Sequence, residues 1–122
     1  MGNKTIVQAI NEALDQAMEQ DSSVMMLGLD IGKNGGVFRV SDQLQEKHGV
    51  NRVVDTPIAE SGTVGAAIGL AVNGMKPIVE MQFMGFIYSA MDQICSQAAR
   101  MRFRSEGRFT VPMVIRGPYG GG

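Results

Sequence analysis

One carboxyl group stands alone in an apolar neighbourhood. Glu60 follows Asp55-Thr56-Pro57-Ile58-Ala59, and the stretch after it, Ser61 to Ala71, has no other ionisable side chain. A first-turn glutamate has two possible uses: it can satisfy the positive end of a helix dipole, or it can share a proton with a bound group. The residues behind it bear on the choice. Gly62, Gly65, Ala66, Ala67, Gly69 and Ala71 put small side chains on successive turns, so a ligand or another helix can come close to the backbone. Each glycine costs a helix roughly 1 kcal/mol relative to alanine, and a gain in packing or binding has to offset that.

The other candidates have duller readings. Gly32-Lys33-Asn34-Gly35-Gly36 invites a phosphate loop, but Asn34 follows Gly32-Lys33 and Val37-Phe38-Arg39 displaces the helix that should come next. His48, the only histidine, falls in the last turn of a short predicted helix with no nucleophile or metal ligand near it in sequence, which makes it structural. Arg100, Arg102 and Arg104 suit a helix C-terminus and are not interleaved with aromatic residues as a base-stacking platform would be. Cys95 sits on the apolar side of its predicted helix and reads as a small buried hydrophobe.

The elements that must carry these residues follow from periodicity. Thr5 and Gln8 form a capping-box pair, and Ile6, Ile10, Ala13, Leu14 and Ala17 recur at helical spacing. Val24 to Leu29 is a continuous apolar run closed by Asp30, as in a strand buried on both faces. Ser41 is expected to cap a short helix ending at Gly49. Arg52 to Asp55 reads as a strand, and Thr56-Pro57 as a cap and first-turn proline of a helix reaching about Asn73, closed by Gly74. Lys76 to Gln82 is the next strand. Ile87, Met91, Ile94, Cys95 and Ala98 line one face of a further helix, and Val111 to Arg116 makes a fourth strand. This alternation predicts an α/β fold, a parallel sheet with helices on both faces, with ligands at the carboxyl ends of the strands. The loops after Asp30, Asp55 and Gln82 are then the expected site.

The chain has 122 residues, 44% of them hydrophobic, enough for one domain and one core. Eleven Lys and Arg against twelve Asp and Glu leave a net charge of −1, which favours neither nucleic acid nor an anionic membrane. A single cysteine forms no internal disulfide, the N-terminus lacks a secretion signal, and Ile6 stands where a myristoylation motif after Met1-Gly2 needs Ser or Thr. No apolar stretch is long enough to span a bilayer. The expectation is a cytoplasmic protein. Sixteen glycines are about 13% of the chain, roughly twice the usual ~7%, so many backbone approaches must be close.

Glu60 with Gly65-Ala66-Ala67-Ile68-Gly69-Leu70 resembles the glutamate-and-glycine motif of the pyrimidine-binding, transketolase-like domain of thiamine-diphosphate enzymes. Gly35-Gly36-Val37-Phe38-Arg39, Asp55 to Gly62, Glu80-Met81-Gln82-Phe83, Asp92-Gln93-Ile94 and Val114 to Gly122 narrow that likeness to the β subunits of 2-oxoacid dehydrogenases. Phe83-Met84-Gly85-Phe86-Ile87-Tyr88 leans toward the pyruvate-specific members. The resemblance covers nearly the whole chain and implies that 1–122 is a pyrimidine-binding domain without the second domain. It implies that Glu60 hydrogen-bonds the pyrimidine N1′ of thiamine diphosphate and so activates it, that Ile58, Gln82 and Phe86 contact the pyrimidine (Phe86 by stacking), and that the Met113 carbonyl is a potassium ligand.

The same likeness implies oxidative decarboxylation of pyruvate with acyl transfer to a lipoyl group. The α subunit would hold the diphosphate and its magnesium, and a second β subunit and a lipoyl-bearing acyltransferase core would complete the partners. The family's catalytic histidine lies beyond Gly122, so the fragment alone is expected to be inactive. Leu29 stands where the family commonly has a glutamate, which puts any acid relay through that position in doubt. Two rivals stay open: a branched-chain or acetoin dehydrogenase β subunit, and a non-catalytic domain whose small-residue helix packs a dimer.

Overall fold

The computed structural model describes residues 2–120; Met1 and the closing Gly121 and Gly122 lie outside the described residues. Helices and strands alternate as α1 (Ile6–Gln20), β1 (Val24–Gly28), α2 (Leu44–His48), β2 (Val53–Asp55), α3 (Glu60–Val72), β3 (Lys76–Glu80), a 3₁₀ segment (Met84–Ala90), a π segment (Gln93–Ala98), α4 (Ala99–Arg104) and β4 (Val114–Arg116). The four strands form one parallel sheet in the order β2-β1-β3-β4. The predicted α/β architecture is therefore present, helices on both faces included.

The sheet divides the apolar content expected to fill one core into two. On one face Met26, Val24 and Val53 pack with Leu14 and Met18 of α1 and Leu44 of α2. On the other, Met25, Leu27 and Val79 pack with Val64, Ala67 and Ile68 of α3 and with Ala90. Strand alternation produces this: β1 is buried along its whole length, and its successive residues feed opposite clusters.

The capping box at α1 forms as predicted. Gln8 N donates to Thr5 Oγ1 at 3.2 Å, and Thr5 N donates to Gln8 Oε1 at 2.9 Å. The buried stripe is rotated from the predicted one, however. Leu14 and Met18 are buried and Val7, Ile10 and Ala17 flank them, while Ile6 and Ala13 face outward. Thr5→Ala removes one arm of the box and should lower the unfolding free energy by about 1 kcal/mol in urea denaturation, with the slope unchanged.

Several predicted boundaries move, each because a tertiary partner claims the backbone. Thr56 does not cap α3; its N–H bonds Gly28 O at 2.9 Å and extends the ladder between β1 and β2, so the helix starts at Glu60 after Ala59. Ser41 does not cap α2 either. Its hydroxyl donates to Ile31 O at 2.7 Å, and Gln43 precedes the helix in a left-handed conformation. β4 is shorter than expected because Pro112 has no N–H and Met113 N turns back to Val111 O at 2.9 Å. Pro77 is tolerated inside β3: Lys76 N points to Ser23 O beside β1, so the nitrogen of Pro77 points the other way, where pairing with β4 begins only at Ile78.

The segment expected to be one helix with Cys95 inward is three. The π stretch has a wider turn than an α-helix and shifts the phase of the residues on it. Ile87, Ile94 and Ala98 stay against the core, whereas Met91 and Cys95 turn outward, so Cys95 is exposed and not the buried hydrophobe its spacing suggested. Among the described residues no helix is long and apolar enough to cross a membrane.

Candidate active site

The carboxyl ends of the strands converge where a parallel sheet is expected to hold its ligand. A shallow crevice opens there between the exits of β1, β2 and β3. Leu29, Pro57, Ala59 and Met81 make its apolar wall, and Glu60, Thr63, Glu80 and Gln82 supply its polar groups. Glu60 is the first residue of α3, half-buried, and its carboxylate enters no ion pair among the described residues. It is thus a carboxylate at a helix N-terminus, open on one side and bordered by apolar surface on the other.

Of the other sequence-predicted site residues, the structure brings Gln82 into the same crevice. Ile58 lies two residues before Glu60 on the connecting segment and its side chain is 78% exposed. Phe86 stands in the 3₁₀ segment, about half exposed. Its ring meets Phe83 edge-on with centroids 5.9 Å apart, and Phe83 meets Phe38 in the same way at 5.9 Å. Edge-to-face pairs hold ring orientation as well as burying area, so Phe86 is presented by a short aromatic ladder anchored in the Gly-rich loop. Met113 is elsewhere. It lies just before β4, in a groove at the opposite ends of the strands whose neighbours include Ala17, Val24, Pro77 and Ile78. Those side chains offer no oxygen, so a cation at the Met113 carbonyl depends on donors from outside this groove.

The N–H groups of the Gly-rich loop are engaged within the chain. Gly32 N and Lys33 N donate to the two oxygens of Asp55 at 2.7 and 3.3 Å, Gly35 N to Gly32 O at 3.1 Å, and Gly36 N to Asp30 O at 2.8 Å. The Asp55 carboxylate thus takes the place an anion would need. Gly36 has φ +80°, and a Cβ there would meet Glu80 Oε1 and Ser41 Oγ at 3.2 Å each, so a side chain would be strained by conformation and crowded by these two neighbours. His48 pairs across the fold with Asp15 of α1. Its Nε2 lies 2.7 Å from Asp15 Oδ1, and hydrogen bonds from Lys47 and His48 hold the Asp15 carboxyl below the usual carboxylate range.

Glu80 is the residue that sequence reasoning missed as a site group in its own right. It is 9% exposed, and Arg116 of β4 bonds its carboxylate through Nη1. Burial pushes the Glu80 carboxyl up from its ordinary pKa, against the charge and hydrogen bond of Arg116, which hold it down. One signal was available. A glutamate closing the apolar run Pro77-Ile78-Val79 ends a buried strand, and a buried charge needs a partner.

Comparison with known proteins decides the family. The model described as "Transketolase, pyrimidine binding domain" matches residues 3–122. The chain belongs to the transketolase pyrimidine-binding domain family. For this pyrimidine-binding domain, similar curated proteins include the pyruvate dehydrogenase E1 component subunit beta of Acholeplasma laidlawii, 58% identical over 118 residues that are 97% of this chain and 36% of that protein. The proteins of the same name from Bacillus subtilis and Staphylococcus aureus are 51% and 53% identical over 122 residues, all of this chain and 38% of each relative. The pyrimidine-binding domain described here therefore spans a little over a third of the length of the relatives it matches. As the sequence resemblance implied, the chain is a homologue of pyruvate dehydrogenase β subunits.

Proposed function

We propose that this chain is the part of a pyruvate dehydrogenase β subunit that receives the pyrimidine of thiamine diphosphate and supplies the carboxyl group that activates it. The carrying observation is Glu60, a carboxylate on the first turn of α3 with no ion pair among the described residues, set in a crevice with Gln82 and apolar walls from Leu29, Pro57 and Met81. A flat heteroaromatic ring with one basic nitrogen suits this arrangement, since the walls take its faces and the carboxylate takes its nitrogen. Thiamine diphosphate, when bound, supplies the electron sink that decarboxylation of a 2-oxoacid needs.

The protein's part is to hold and orient. Glu60 would share a proton with the ring nitrogen and Gln82 would add a polar contact from the same crevice, with the exposed Ile58 and Phe86 as further apolar surface for the ring. Leu29 keeps its side of the crevice free of a second carboxylate, so no acid relay starts from that position. The remaining parts of the reading come from outside this chain: an α subunit for the diphosphate and its magnesium, a second β subunit, a lipoyl-bearing acyltransferase as acceptor, and further oxygens if the Met113 carbonyl is to hold potassium. Because these parts are external, the chain alone should be inactive.

The test is reconstitution. The full-length β subunit, mixed with its α subunit, should decarboxylate pyruvate only when thiamine diphosphate and magnesium are present, and faster than it does 2-oxoisovalerate or acetoin. An assembled complex with no thiamine-dependent turnover of any of the three removes the reading.

A further inference from the structure

Three strand exits meet at one side chain to which the proposed reaction gives no task. Glu80 closes β3, and its register partners are Gly28 at the end of β1 and Arg116 at the end of β4. The contacts around it leave little slack. A Cβ on Gly28 would stand 3.0 Å from the Cβ of Glu80, and one on Gly36 would stand 3.2 Å from its Oε1. The other oxygen takes the Arg116 guanidinium. The backbone carries this frame forward. Met81 N bonds Arg116 O at 2.8 Å, Met84 N bonds Pro118 O at 3.1 Å, and a Cβ on Gly117 would meet Met81 O at 2.9 Å. Gln82 therefore sits in a segment stitched on both sides to the strand exit that carries Arg116.

A buried ion pair is a poor source of stability, because desolvation consumes most of the attraction and an apolar pair of similar volume does as well. What it adds is direction. We propose that Glu80 and Arg116 are positioning residues: their buried ion pair locks the exits of β1, β3 and β4 together and so sets Gln82 opposite Glu60 at the spacing the pyrimidine of thiamine diphosphate requires. This rests on the thiamine diphosphate reading above.

The experiment separates positioning from stability. In the full-length subunit assembled with its α partner, the double variant Glu80→Leu/Arg116→Met replaces the pair by apolar side chains and keeps the assembly stable. Two quantities are read: the Kd of thiamine diphosphate by calorimetry, and kcat at saturating cofactor. Loss of the lock should weaken cofactor binding at least about tenfold and lower kcat roughly a hundredfold, the scale of a misplacement near 1 Å. A parent that binds the cofactor and a double variant that matches it in Kd and kcat overturn the positioning role and leave the proposed function standing. A parent assembly that takes up no thiamine diphosphate overturns that function, and the positioning role with it. Should the double variant fail to assemble, Glu80→Gln keeps the shape but replaces the ion pair by a hydrogen bond from the Arg116 guanidinium to an uncharged amide, leaving the guanidinium without its counter-charge. Weaker cofactor binding in this variant supports the lock, and an unchanged Kd overturns it.

Discussion

Glu60→Gln is expected to abolish nearly all thiamine-dependent decarboxylation while leaving the subunits assembled. Glutamine keeps the length and planarity of the side chain and can still accept a hydrogen bond, so the first turn of α3 and the crevice around it should be undisturbed. The carboxyl group that can hold or release a proton is lost. Proton transfer by a placed side chain contributes about 10²- to 10⁴-fold, so kcat should fall by at least a hundredfold or so. Gel filtration of the reconstituted complex and its melting temperature should match the parent, because the Glu60 side chain makes no ion pair among the described residues whose loss would be felt. A variant that turns over at the parental rate would reduce Glu60 to a helix-dipole residue and favour the rival in which the small residues of α3 only pack a dimer.

Much of this site was legible in the chain because its signals are local. The Thr5–Gln8 box, the apolar run at Val24, and Gly49 and Gly74 behind their helices each act within a few residues, and the structure keeps all of them. The lone glutamate before a small-residue helix was visible for the same reason. What escaped depends on distant partners. Thr56 looks like a cap until Gly28 O claims its N–H, and Ser41 looks like one until Ile31 O takes its hydroxyl. Cys95 keeps helical spacing in the sequence, but the π turn around it alters the phase that spacing assumes. Glu80 shows the same limit at the site itself: its partner Arg116 is 36 residues away, and only the sheet order β1-β3-β4 brings the two together.

That distant pairing makes Arg116→Met the substitution with the largest expected effect on stability. Removing the guanidinium leaves Glu80 buried without a counter-charge, and breaking a buried pair in this way costs about 3–5 kcal/mol, a large share of a domain's margin. The loss should depend on pH with a definite sign. The Glu80 carboxyl already lies above its ordinary value of 4.5 because of burial, and Arg116 is what restrains it. Without Arg116 it rises further, so between the unfolded and folded values the folded chain binds the extra proton. Stability then falls as pH increases through that window. The deficit relative to the parent should be smaller at an acid pH near the ordinary carboxyl value of 4.5 than at neutral pH, because the folded variant holds its extra proton more readily the lower the pH. Contributions from Asp15 and Asp21, whose carboxyls are held low by their neighbours, cancel in that difference because both chains keep them. Urea denaturation of the parent, Arg116→Met and Glu80→Leu/Arg116→Met at both pH values provides the check. The double variant should recover most of the lost stability and lose the pH dependence, because no buried charge remains to titrate. A pH-independent deficit in Arg116→Met would mean that Glu80 is not held ionised against its burial by Arg116, and that the arginine contributes packing alone.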